Sequence, residues 1–150
     1  MKRHRSLYSL SREHHPALVQ AYNMRHLGTE LINLSAQEVA QKFLSFWQEA
    51  LIEHFRKEEE ILLPTLARFS KSNTEEINRL LFEHLDIRCA HDELKFSAQE
   101  GKTPTIATLN ALGEKLYNHI RFEEDIFFTI VEEKVPQQEL AHLLERLEKS

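Results

Sequence analysis

His54-Phe55-Arg56-Lys57-Glu58-Glu59-Glu60-Ile61-Leu62-Leu63-Pro64 is answered 65 positions later by His119-Ile120-Arg121-Phe122-Glu123-Glu124-Asp125-Ile126-Phe127-Phe128-Thr129. In each copy a His and a Glu stand four residues apart, which on a helix sets them on one face, about 6 Å apart along the axis. The flanks mark that face as inward: Leu51 with Ile61 and Leu62 bracket the first pair, Leu116 and Phe127 the second. His-x-x-x-Glu is ordinarily a weak surface ion pair, and these apolar neighbours argue against that meaning here. Imidazoles and carboxylates are costly to bury unless they meet each other or a cation.

Working outward from the repeat, the chain reads as nearly all helix. It holds three Gly and four Pro, and its apolar residues recur at three and four positions without strand alternation. A first helix is expected from near Ser9 or Ser11, with Leu10, His14, Ala17, Leu18, Ala21, Met24 and Leu31 facing in. Ser35-Ala36-Gln37-Glu38 has the form of a capping box and opens a second helix through Phe43, Trp47, Leu51, His54 and Glu58 to about Phe69. Pro64 is expected to kink it or end its regular part. Asn73-Thr74-Glu75-Glu76 starts a third, with Ile77, Leu80, Leu81, His84, Ile87, His91 and Leu94 inward and Gly101 closing it. A fourth follows Thr103-Pro104 and carries Ile106, Leu109, Leu112, Leu116, His119, Glu123, Phe127 and Ile130. Beyond Pro136 the stripe Leu140, Leu143, Leu144, Leu147 forms a short amphipathic helix that caps the bundle or meets another subunit. The expected fold is all-α, an up-down-up-down four-helix bundle over about residues 7–135 with a C-terminal fifth helix over about 136–150, in one domain.

Composition removes several classes of function. Acidic and basic residues (24 and 19) are mixed along the chain, so no basic stripe invites nucleic acid. Cys89 is the single cysteine, which excludes an internal disulfide and thiolate-rich metal sites and suits a reducing cytoplasm. No apolar run approaches the ~18 residues of a membrane span, and Met1–Arg5 is not followed by the apolar core of a signal peptide.

Distances from the connecting turns supply an independent argument, because antiparallel neighbours are level when equally far from the turn that joins them. With turns near Leu34, Lys71 and Gly101, His14 and His54 are each 20 residues from the first, Glu58 and His84 each 13 from the second, and His84 and His119 are 17 and 18 from the third. At ~1.5 Å per residue all six side chains fall in one layer. His15 is the alternative to His14, which stays in register with Leu7, Leu10, Ala17 and Ala21. Imidazoles with carboxylates and no thiolate suit iron, manganese or zinc, and two carboxylates among four histidines suit two ions better than one.

Glu13-His14, His54-Phe55-x-x-Glu58-Glu59 with Leu63-Pro64, Glu83-His84, and His119-Ile120-x-x-Glu123-Glu124 together resemble the hemerythrin-like (HHE cation-binding) family, over about residues 7–135. The resemblance implies a four-helix bundle with two non-haem irons: His14 and His54 on one, His84 and His119 on the other, Glu58 and Glu123 bridging, and an oxo or hydroxo bridge completing the pair. Oxygen-carrying members place a fifth His one turn after the third-helix ligand, where this chain has Arg88. His91 lies two turns beyond His84, roughly 10 Å along the axis, and reads as a core or rim histidine. Glu59 and Glu124 are expected at the surface or supporting the ligands, Cys89 as a small buried residue, Tyr22 and Tyr117 in packing, and His4, His26 and His142 in solvent.

The expectation is a metal-binding or sensing protein, ahead of a dedicated enzyme, that takes oxygen, nitric oxide or peroxide, or handles iron. An oxidoreductase or iron-centre repair activity at the same site is the alternative. A non-catalytic helical interaction module, self-associating as a homodimer through the C-terminal helix, is the third.

Overall fold

In the computed structural model, which describes residues 2–150, a 3-10 turn over Arg5–Leu7 leads into α1, Tyr8–Arg25. Gly28, at φ +91°, takes the left-handed conformation that stops the chain from continuing as helix. Leu31, expected on the inner face, therefore sits in a turn and is 58% exposed. Ser35 then caps α2: its hydroxyl accepts from the Glu38 N–H at 3.1 Å and Glu38 returns the bond to the Ser35 N–H at 3.2 Å.

α2 is one helical run over residues 36–69, built of Ala36–Phe46, a π turn at Trp47–Leu51, Ile52–Lys57, a second π turn at Glu58–Leu62, and Leu63–Phe69. Pro64 does not end it. The π turn just before it moves the Leu63 N–H to the carbonyl five residues back, on Glu58, so the ladder has already left its regular pattern where the proline arrives. α3 is Thr74–Gln99, closed by Gly101 at φ +73°. α4 covers residues 106–134 as Ile106–Phe122, a π turn at Glu123–Phe127, and Phe128–Lys134, with the Thr105 hydroxyl capping its start. α5 is Gln137–Lys149.

No strand occurs among the described residues, and no helix is long and apolar enough to cross a membrane. α1 packs on α2 and α4, and α3 on α2 and α4, which is the antiparallel four-helix arrangement. Two apolar clusters fill it. One gathers Ala17, Met24, Phe43, Trp47, Phe55, Ile87 and Leu116 toward the 26–35 turn, and the other gathers Leu10, Leu62, Leu66, Leu80, Phe127 and Phe128 toward the 70–73 turn. Leu140, Leu143 and Leu147 of α5 are buried in the second cluster, so the C-terminal stripe caps the bundle. Each buried leucine contributes about 1.5–3 kcal/mol.

Other inward assignments shift by one helical position. Leu81 and Ile106 are exposed, the first because Leu80, His84, Ile87, His91 and Leu94 set the inward stripe about 100° away, the second because it is the first residue of α4. Cys89 and Tyr22 are exposed as well, and the Tyr22 ring lies tilted against His26 with centroids 4.5 Å apart. His4 is more than a solvated residue: its Nδ1 caps the 3-10 turn by accepting from the Ser6 N–H, and its own N–H donates to Glu132.

Candidate metal centre

Between the two apolar clusters lies a polar layer: His14, His54, Glu58, His84, His119 and Glu123, all buried, the two carboxylates completely. Each of the four long helices contributes. His15, one residue from His14 and turned about 100° away, is exposed, so the register along α1 selects His14. Both Glu58 and Glu123 open a π turn, at the same point of each repeat. π turns of this kind concentrate at functional sites because the extra residue re-aims a side chain at the expense of regular bonding.

The imidazoles are held from outside. His14 Nδ1 donates to Glu124 Oε2 at 2.6 Å, His54 Nδ1 to Glu13 Oε1 at 2.8 Å, His84 Nδ1 to Glu59 Oε2 at 2.7 Å, and His119 Nδ1 to Glu83 Oε1 at 2.8 Å. Each orienting carboxylate is the chain neighbour of a residue in the layer, and each serves the histidine of an adjacent helix. A residue one step along a helix points about 100° round it, toward the neighbouring helix and not into the core. Glu59 and Glu124 thus leave the surface role that was one reading of them. Glu13 and Glu83 are the functional residues whose part the sequence did not disclose, although the dipeptides Glu13-His14 and Glu83-His84 carry the signal.

With Nδ1 committed as donor to an ionised carboxylate, each Nε2 points inward either bearing a proton or as a bare lone pair. Glu58 Oε2 lies 3.1 Å from His54 Nε2 and Oε1 3.1 Å from His84 Nε2. Glu123 Oε1 is 2.9 Å from His14 Nε2 and Oε2 is 3.5 Å from His119 Nε2. Only the His14 contact has hydrogen-bond geometry. Nε2 of His54, His84 and His119, both oxygens of Glu58 and Oε2 of Glu123 are buried without partners. Atoms that converge on shared points and not on each other, in a sealed layer, are what a cation satisfies. The donors fall into two groups that could each hold an ion, His14-His54-Glu58-Glu123 and Glu58-His84-His119-Glu123, with both carboxylates in each.

The charges of the metal-free layer support the same assignment. Burial would depress His14 and His84, but the carboxylates of Glu123 and Glu124 beside the first, and of Glu58 and Glu59 beside the second, outweigh it and raise each to about 9. His54 is likewise raised well above its ordinary value, against burial, by the charge of Glu58. Burial works to raise Glu123, and the surrounding imidazoles, His119 foremost and His14 through its hydrogen bond, hold it well below the usual carboxylate range. Protons on these imidazoles occupy the inward positions that a metal ion would take.

The model of the hemerythrin HHE cation-binding domain matches residues 6–131. The chain belongs to the hemerythrin family. No curated protein and no solved structure matches it significantly. Cation binding is the property that this hemerythrin-family domain and the buried His and Glu groups have in common.

Arg88, one turn after His84, sends Nη2 to Glu59 Oε2 at 3.4 Å and lies over Trp47. His91 stacks on Trp47 and its Nδ1 donates to Asp92 at 3.0 Å.

Proposed function

We propose that this hemerythrin-family protein binds two iron ions, one in each four-residue group, and uses them to bind or sense oxygen, nitric oxide or peroxide or to handle iron. The observation that carries the reading is the set of orphaned inward atoms shared through Glu58 and Glu123. His14 and His54 would hold one ion, His84 and His119 the other, and the carboxylates would span them. When bound, the ions supply redox chemistry and open coordination positions for a small ligand.

The chain's own part is to keep four Nε2 atoms aimed inward through Glu13, Glu59, Glu83 and Glu124, and to keep water out by closing the layer between two apolar clusters. A surface cavity of about 280 Å³ reaches His54 and Glu13, enough room for a diatomic molecule or peroxide. Arg88 in place of a further imidazole favours sensing or iron handling over reversible oxygen carriage. Metal analysis after anaerobic iron addition, followed by optical titration with nitric oxide, tests this. Two irons per chain, one per group, and a spectral change on adding the gas are expected; protein that takes up no iron sinks the reading.

A further inference from the structure

The carboxylates that hold the four imidazoles are themselves each met by a cation. Lys57 Nζ lies 3.3 Å from Glu13 Oε2, Arg88 Nη2 3.4 Å from Glu59 Oε2, Arg79 Nε 2.9 Å from Glu83 Oε2 and Arg3 Nη2 3.5 Å from Glu124 Oε1. Outward from each Nε2 the order is the same: imidazole, carboxylate, cation. Each four-residue group has two such series, with Arg3 and Lys57 behind His14 and His54, and Arg88 and Arg79 behind His84 and His119.

The repeat does not supply these cations. By the 65-residue offset Phe122 stands where Lys57 does, and the 70-residue offset between His14 and His84 puts Ser9 and Leu18 where Arg79 and Arg88 are. The cations come from the segment before the 3-10 turn, from α2 and from α3, and still meet the carboxylates one to one. Ion pairs at a surface are ordinarily loose and weak. Here the guanidinium groups are fixed from a second side: Arg3 lies 5.5 Å over the Phe128 ring, Arg79 4.0 Å over Phe122 and Arg88 5.7 Å over Trp47. Arg3 is also tied to Glu132 at 2.9 Å, and the side chains of Arg3 and Lys57 are only 17% and 18% exposed.

On the two-iron reading above, we propose that Arg3, Lys57, Arg79 and Arg88 are positioning residues that act through Glu124, Glu13, Glu83 and Glu59 to set the reduction potential of the metal centre. A cation beside a carboxylate draws on its lone pairs, so the carboxylate pulls less on the Nδ1 proton and the imidazole offers less electron density at Nε2. The same cation opposes the extra positive charge that an ion carries once oxidised. Both effects disfavour the oxidised state and hold the potential up. Loss of a cation removes both at once.

The test is an anaerobic redox titration of iron-loaded protein followed by the centre's absorption, with iron content measured on every variant. Lys57→Gln and Arg79→Gln, one for each group, are expected to hold as much iron as wild type and to shift the midpoint to lower potential. The double variant is expected to shift further than either. Lys57→Arg keeps the charge and is expected to keep the wild-type potential. Lys115→Gln breaks an ion pair with Asp86 that touches no orienting carboxylate, and is expected to leave the potential unchanged. Arg79 is half exposed, so its variant carries the comparison should Lys57→Gln fail to fold. Midpoints equal to wild type in both glutamine variants at equal iron content, or a shift in Lys115→Gln as large as theirs, overturn the proposal. Wild-type protein that holds no iron overturns the two-iron reading instead, so the two failures are distinguishable.

Discussion

The helix that carries His54 and Glu58 contains two π turns, at Trp47–Leu51 and Glu58–Leu62; the helix that carries His119 and Glu123 contains one, at Glu123–Phe127. The shared π turn begins on the central carboxylate in both, and the same carboxylate-to-Nδ1 bonds recur around the layer. Away from the layer the halves part. The first has Trp47 and Phe55 packed toward a cavity, whereas the second brings α4 so close to α1 that Gly113 faces the Arg25 backbone. The two halves agree where donors converge and differ away from that layer.

The largest test of the common part is removal of a shared carboxylate. Glu58→Ala and Glu123→Ala each take oxygens from both groups, so each is expected to abolish metal uptake at both. A variant that retains one ion by metal analysis would mean the carboxylates are not shared. Next in size come the orienting residues. Glu13→Gln and Glu83→Gln act at equivalent places, on His54 and His119, and each is expected to weaken metal affinity about 10–100-fold. Chelator competition measures this, and unequal losses would break the symmetry.

Protonation tests the layer without metal. His14 and His84 sit at about 9 in the folded chain against 6.5 ordinarily, so the folded state retains protons that the unfolded state has released. Their contribution to stability is full below pH 6.5 and is lost as pH rises through about 9. Glu13, Glu59, Glu83, Glu123 and Glu124 are held below the ordinary 4.5, so theirs is full above 4.5 and is lost as pH falls. Metal-free protein should thus melt at progressively lower temperature from pH 6.5 to 9, while the increment gained on adding metal grows, because ligation displaces the imidazole protons. A flat metal-free profile over that range would contradict the assignment.

Smaller effects probe the parts that differ. At Gly113 a Cβ would lie 2.7 Å from the Arg25 backbone nitrogen, which cannot swing aside. Gly113→Ala should cost about 1–3 kcal/mol in a denaturant melt. Ser35→Ala, which opens the capping box of α2, should cost about 1 kcal/mol, and a loss well above that would mean Ser35 does more than cap.

The fold was legible because breakers are few and the apolar period is regular, and the layer because turn distances put six donors level. Three things were not. The π turns leave no mark on a 3.6-residue pattern, so Pro64 looked like an interruption. The duties of Glu13 and Glu83 depend on which helix lies beside which. The exposure of Leu31, Leu81 and Cys89 turns on where α1 stops and on one helical step of α3.

The most direct measurement is a crystal structure of the iron-loaded protein with anomalous scattering recorded at the iron edge. Two peaks are expected, one among His14, His54, Glu58 and Glu123 and one among Glu58, His84, His119 and Glu123, with both carboxylates touching both. A single peak, or density bound elsewhere with the layer still protonated, would contradict the account.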